Sequence, residues 1–312
     1  MYDERPRELI TRGNLDGIVC AAVFLRQFPG SPVRFVTSPA AAALLLASSN
    51  ARQVFLADIG LTPSLLKAAK GVMRTRRITL IDHHASSLQA EWAFIDVETS
   101  AAGLMYRQLD ASGMDATVAM VDLYENADSP LLRSVMDRMG VDGLRRESEI
   151  LDFAWRLNVK DDEFRIAAAE ELASGLLPSC IPEIAERHAE MIRRDGWTKA
   201  LDSVRRCFRR NGATAVMEFS GRRPSFHGFG SRALTEAARQ DGYRYAVMIN
   251  RGEEESVVSL RSTGLGGTDL GRFIESFTTE HGVEGGGHAA SAGARIPSGS
   301  TDVLIEQLEA MA

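Results

Sequence analysis

The sequence predicts an α/β fold: an N-terminal, mostly parallel sheet with helices on both faces, a helical linker and a smaller C-terminal α/β domain. Three observations predict it. Strand-like and helix-like segments alternate through the first part of the chain, the pattern of parallel strands joined by helical crossovers. Three apolar strands end in an acid or just precede one, as happens where an open sheet presents chemistry beyond its carboxyl edge. Strands resume near residue 214 after a long helical stretch.

Taken in order, 8–11 (Glu-Leu-Ile-Thr) reads as a short strand and 15–28 as a helix. Residues 33–37 and 53–58 read as strands. Thr62-Pro63 then marks a helix start, an N-cap followed by proline in the first turn. A helix over 64–73 leads to a strand over 77–81. A short strand covers 94–97 and a helix 100–109. From about 115 to 209 the periodicity is almost only helical, broken by Pro178 and Pro182. The long, charged and helical stretch 183–210 reads as a connector. Strands follow from Thr214, with 244–250 and 255–261 spaced as a hairpin. Helices over 268–280 and 301–311 flank a glycine-rich segment, 285–293. At 312 residues the chain has room for roughly two domains, divided as 1–185, a linker over 186–212, and 213–312.

Hydrophobic residues make up 45% of the chain and support a real core. The net charge of −6 argues against generic binding to long duplex nucleic acid, but it allows a small phosphate substrate on a local cationic patch. Cys20, Cys180 and Cys207 form no CxxC pair. Neither a zinc knuckle nor a disulfide framework is suggested, which fits a reducing cytoplasm. The N-terminal octapeptide has no apolar signal segment, and the apolar run 40–47 is too short to span a membrane.

The segment Arg77-Ile-Thr-Leu-Ile-Asp82-His83-His84 is the most informative in the chain. An apolar run stops, and an acid and two of the six histidines follow at once. Asp16 follows the first strand in Arg12-Gly13-Asn14-Leu15-Asp16-Gly17, and Asp58 ends Leu56-Ala57-Asp58. Asp122 stands in another apolar-then-acid junction, Met120-Val121-Asp122-Leu123-Tyr124-Glu125. Any one of these acids is equally well a helix or turn cap. Together, several carboxylates and an imidazole at strand ends suit Mn²⁺, Mg²⁺ or Zn²⁺, and their mutual repulsion calls for a cation.

These segments resemble the DHH phosphoesterase superfamily, which includes RecJ exonucleases, nanoRNases, cyclic-dinucleotide phosphodiesterases and some exopolyphosphatases. The resemblance covers nearly the whole chain. The family's first motif, His-x-Asp-x-Asp-Gly, is met by Arg12-Gly13-Asn14-Leu15-Asp16-Gly17. Its second is met by Asp58 and its third by Asp82-His83-His84 in full. Its fourth is met best by Asp122, with Glu125 and Asp128 as alternatives. The C-terminal part resembles the family's associated substrate domain, through Ser259-Leu260-Arg261-Ser262 and the glycine-rich Gly285-Gly286-Gly287-His288.

The resemblance implies two-metal phosphoester hydrolysis. It implies metal ligands Asp16, Asp58, His83 and Asp122 for one Mn²⁺ or Mg²⁺, with Asp82 and His84 supporting catalysis. Arg261, Ser262, Gly285, Gly286, Gly287 and His288 would bind substrate phosphate, the glycines as a loop with exposed backbone amides. At the second cation this chain departs. Arg12 has no lone pair to offer, and Asn14 is a weaker ligand than aspartate. One metal site is therefore expected intact and the other damaged or absent, with Arg12 available to contact phosphate instead. The expected function is hydrolysis of short oligonucleotides or linear or cyclic dinucleotides in a cleft between the domains. Two alternatives stay open: a phosphate- or nucleotide-binding module with weakened catalysis, and an exopolyphosphatase or pyrophosphatase. No membrane or long-duplex partner is expected, and a homodimer stays open.

Overall fold

In a computed structural model, residues 6–220 and 226–311 are described. Part of the N-terminal octapeptide lies outside them. The chain divides into two compact units, Met1–Glu190 and Met191–Ala312.

The first unit opens with β1 (Arg7–Arg12), α1 (Leu15–Gln27), β2 (Val33–Val36), α2 (Pro39–Ser48), β3 (Gln53–Ala57), α3 (Pro63–Val72), β4 (Arg77–Asp82) and β5 (Ala93–Ile95). The five strands form one sheet in the order β2-β1-β3-β4-β5, every pairing parallel. Successive strand residues point to opposite faces, and both faces are buried. Leu9, Phe55, Ala57 and Ile81 join one core with α1. Ile10, Val54, Leu56 and Leu80 join another with α2 and α3. From β1 the chain turns to β2 on one side and to β3 on the other. The carboxyl ends of β1 and β3 therefore meet at the switch point, where open α/β sheets bind ligands.

Helical caps account for several starts. Ser38 and Thr62 accept N–H bonds at the heads of α2 and α3, each followed by proline. Helices α4 (Ala101–Leu109), α5 (Asp115–Tyr124), α6 (Pro130–Met139), α7 (Val141–Arg156) and α8 (Asp162–Ala173) complete the α1 side of the sheet, and α9 (Pro182–Arg193) follows. Helix α1 is buried all round, as expected for a helix wedged between a sheet and an outer helical layer. Helix α2 is an addition to the elements read from the sequence. Its alanine–leucine run shows no polar face from which a period could be read.

The 183–210 stretch is mostly helical, as read, but in two helices rather than one. Asp195, with φ +53°, ends the helical run between α9 and α10 (Gly196–Cys207), and β6 (Arg209–Asn211) follows. The second unit continues with β7 (Thr214–Ser220), α11 (Gly230–Gln240), β8 (Tyr245–Arg251), β9 (Glu255–Ser262), α12 (Leu270–Glu280), β10 (Gly285–His288), β11 (Ser291–Pro297) and α13 (Thr301–Ala310). Its six strands run β10-β11-β9-β8-β7-β6, with β7 and β8 parallel and the other pairs antiparallel. β8 and β9 form the expected hairpin. Val216, Val247, Val258 and Leu260 pack under α12 and α13.

The glycine-rich loop is also corrected: Gly285–His288 is strand β10, paired with β11. Glycine is needed for close approach. A Cβ on Gly287 would meet the Ser291 carbonyl oxygen at 2.2 Å.

Candidate metal centre

The structure brings Asp16, Asp58 and His83 together at the carboxyl edge of the first sheet. His83 Nε2 lies 3.4 Å from Asp58 Oδ1 and 3.7 Å from Asp16 Oδ2. All three side chains are buried. Each follows a strand: Asp16 in the first turn of α1, Asp58 after β3, His83 after β4. Gly17 makes this entry possible, since a Cβ there would lie 1.8 Å from the Arg12 carbonyl oxygen.

Asp16 does not cap its own helix. Asn14 does, its Oδ1 accepting the Gly17 N–H at 2.9 Å. Asp16 instead accepts the Ala101 and Ala102 N–H groups at 3.0 and 2.8 Å, at the head of α4, where unpaired amides and the helix dipole favour an anion. Cys20, one turn along α1, directs its thiol at the same carboxylate. Sequence reasoning missed this contact. Its one signal is Ser100-Ala101-Ala102-Gly103, a cap followed by small residues.

Asp58 has φ +53°, a left-handed conformation that Asp tolerates better than most residues. Its Oδ2 is buried with no hydrogen-bond partner. Asp82 heads no helix. It accepts the His84 backbone N–H, and its Oδ1 lies 2.7 Å from His84 Nδ1. That contact fixes the ring and turns Nε2 the other way. One ligating atom each from Asp58, His83 and His84 lies within 4.8 Å of the others.

The electrostatics follow from this crowding. Burial, then the neighbouring Asp58 charge, raises the Asp16 carboxyl well above its usual range. Burial also pushes Asp58 upward, but His83, His84 and Arg12 outweigh it and hold Asp58 low. For His83, burial favours the neutral ring; Asp58, Asp16 and Glu125 overcome it and raise the pKa to about 10. At neutral pH the site therefore keeps a proton on His83, beside the two carboxylates. The unsatisfied Asp58 oxygen and the all-oxygen-and-nitrogen donor set fit one hard divalent ion such as Mn²⁺ or Mg²⁺.

The remaining sequence candidates fall elsewhere. Asn14 spends one lone pair of its Oδ1 on the cap of α1. Arg12 ends β1 next to Asp58 and its charge is felt there. Asp122 is buried and committed to hydroxyls. Its Oδ1 accepts from Thr99, Ser100 and the Ser100 N–H, and its Oδ2 accepts from Ser129. The acid of that segment felt at both Asp16 and His83 is Glu125. Asp128 is exposed and paired with Arg133.

In the second unit, His288 faces Ser291 across one ladder and Ser291 faces Arg261 across the next, so all three share a row and a face of the sheet. Gly286 and Gly293 form the adjoining pair on that face. Arg261 also donates to Ser231 Oγ at 3.2 Å, and Ser262 Oγ accepts the Gly264 N–H.

No family model and no curated protein matches the chain. Solved structures do. A pGpG-specific phosphodiesterase, PggH from Vibrio cholerae, is 16% identical with a TM-score of 0.55, covering 98% of this chain and 100% of its own. A DHH domain from a protein described as a member of a family of ribosomal proteins is 14% identical with a TM-score of 0.64, covering 98% and 87%. RecJ from Thermus thermophilus, in complex with Mn²⁺, is 14% identical with a TM-score of 0.60, covering 97% of this chain and 51% of its own.

Proposed function

Starting from a chain with the fold of DHH-domain proteins, we propose that it is a divalent-cation-dependent phosphoesterase. Its proposed substrates are short oligonucleotides or linear or cyclic dinucleotides. The observation that carries the reading is the buried convergence of Asp16, Asp58 and His83, with one Asp58 oxygen left unsatisfied. The pGpG-specific relative and the Mn²⁺-bound RecJ support the substrate class and the metal.

In this reading Asp16, Asp58 and His83 hold one Mn²⁺ or Mg²⁺. The bound ion supplies Lewis acidity and lowers the pKa of water, the two things phosphoester hydrolysis needs from a metal. The chain's own residues do the rest. Arg12, beside Asp58, holds a non-bridging phosphate oxygen through its planar guanidinium. His84, its Nδ1 fixed on Asp82, presents Nε2 to give a proton to the leaving oxygen. The α4 head keeps Asp16 aimed while the site changes charge. Arg261 and His288 bind a second phosphate of the substrate.

Arg12 and Asn14 favour a second reading, in which the site binds nucleotide phosphate with little turnover. Manganese titration against pApA, cyclic dinucleotides, pyrophosphate and polyphosphate tests both. Manganese-dependent cleavage of the nucleotides is expected. Tight binding without turnover would favour the second reading, and cleavage of pyrophosphate or polyphosphate alone would replace the substrate class.

A further inference from the structure

Arg165, on α8, is a buried cation far along the chain from the metal centre, and no step above uses it. Only 5% of it is exposed. Its Nε donates to the Gly13 carbonyl oxygen at 3.0 Å, one Nη to the Val159 carbonyl at 2.6 Å and the other to Asp162. Its guanidinium lies 5.6 Å from the Phe35 ring and 5.7 Å from the Trp155 ring. Each of the three guanidinium nitrogens thus donates a hydrogen bond, and two aromatic rings lie close by, a setting that stabilises a desolvated cation.

What it holds is the loop between β1 and α1. Gly13 sits between Arg12, next to Asp58, and Asn14, the cap of α1. A Cβ on Gly13 would lie 2.9 Å from both Cζ and Nε of Arg165. The loop and the guanidinium are in contact with no room for a methyl group. Arg165 itself cannot retreat, because Val159 and Asp162 pin its far side.

The proposed metal ligands have supports of their own. Asp16 is fixed by the Ala101 and Ala102 amides, Asp58 ends β3 and His83 follows β4. Arg12 is anchored on one side by β1 and on the other by Gly13, which Arg165 holds. We propose that Arg165 is a positioning residue that sets Arg12 for phosphate, leaving the cation site to other supports. The inference rests on the phosphate role given to Arg12 above.

The test separates phosphate binding from metal binding. Inorganic phosphate affinity at saturating manganese, manganese affinity and the melting midpoint would be measured for Arg12→Gln, Arg165→Lys, Gly13→Ala and Gly13→Ala in an Arg165→Met background. Arg165→Lys keeps the charge but loses the fork. Gly13→Ala keeps Arg165 and pushes on it, so it remains informative if Arg165→Lys fails to fold. Both should weaken phosphate by roughly tenfold or more, the scale of one hydrogen bond to a charged group. Manganese affinity should change by less than about threefold, the scatter expected of a site held independently. Gly13→Ala should add little once Arg165 is Met, because the steric partner is gone. If Arg12→Gln weakens phosphate while Gly13→Ala and Arg165→Lys do not, the positioning role is wrong and the function stands. Equal losses of phosphate and manganese affinity would reduce Arg165 to a structural residue. If Arg12→Gln leaves phosphate binding unchanged, the role of Arg12 falls, and this inference falls with it.

Discussion

Asp58 combines a left-handed backbone with a buried, unsatisfied carboxylate oxygen. The first costs about 1–2 kcal/mol and the second about 1–3 kcal/mol; a cation bound by Asp58 would relieve the second and leave the first. Asp58→Asn keeps the shape and tolerates the backbone. It should weaken manganese binding by roughly 100-fold while unfolding stays cooperative, as calorimetry and thermal melts would show. His83 sets the pH dependence. Its pKa is raised from 6.5 to about 10, so its contribution to metal-free stability is complete below 6.5 and is lost as pH rises through about 10. Metal binding must displace that proton. Manganese affinity should therefore rise by up to about tenfold per pH unit toward pH 10. Calorimetry at pH 7 in buffers of different ionisation enthalpy should show about one proton released, and none would remove the proton from His83. Asn14→Asp preserves the cap, because Asp caps as well as Asn, and adds the charge a second cation lacks. A second manganese by metal analysis, together with faster hydrolysis, would identify Asn14 as the defect. Tighter metal binding without turnover would identify a binding module.

At the scale of elements, the head of α4 joins two acids. Asp16 takes its first amides and Asp122 its cap hydroxyl, Ser100. A Cβ on Gly103 would lie 2.7 Å from Asp122 Oδ1, so the first turn of α4 carries a glycine where the acid presses in. Asp122→Asn keeps an acceptor for Ser100 and loses the one that serves Ser129. It should cost about 1–3 kcal/mol of stability and leave manganese affinity within about threefold. A loss of affinity as large as that expected for Asp58→Asn would make Asp122 a ligand after all.

At the scale of the whole molecule, the chain carries Asp16, Asp58 and His83, the proposed cation site, in one unit and its row of Arg261, Ser291 and His288 in the other. Among the described residues, no helix is long and apolar enough to cross a membrane. If the second unit grips a phosphate remote from the bond that breaks, it supplies binding energy equal in ground state and transition state. Arg261→Ala should then raise KM by roughly tenfold or more while kcat changes little, measured by steady-state kinetics on a dinucleotide. An unchanged KM would take Arg261 out of substrate binding.

The parallel sheet, most of its strands and the placement of Asp16, Asp58 and His83 at one edge are legible in the amino-acid order alone, because these signals are local. An apolar run followed by an acid marks a strand end, and Thr62-Pro63 marks a helix start whatever surrounds it. What each acid does was settled only by packing. The amides that hold Asp16 come from 85 and 86 residues away, and the hydroxyls that occupy Asp122 come from Thr99, Ser100 and Ser129. The same holds for Gly285–Gly287, whose reading as a loop fails because the partner strand β11 demands close approach. Arg165 looks like any helix-surface arginine until folding brings the Gly13 loop against it. A carboxylate or a guanidinium takes its role from the donors and acceptors that arrive around it, and distant segments deliver those only when the chain packs.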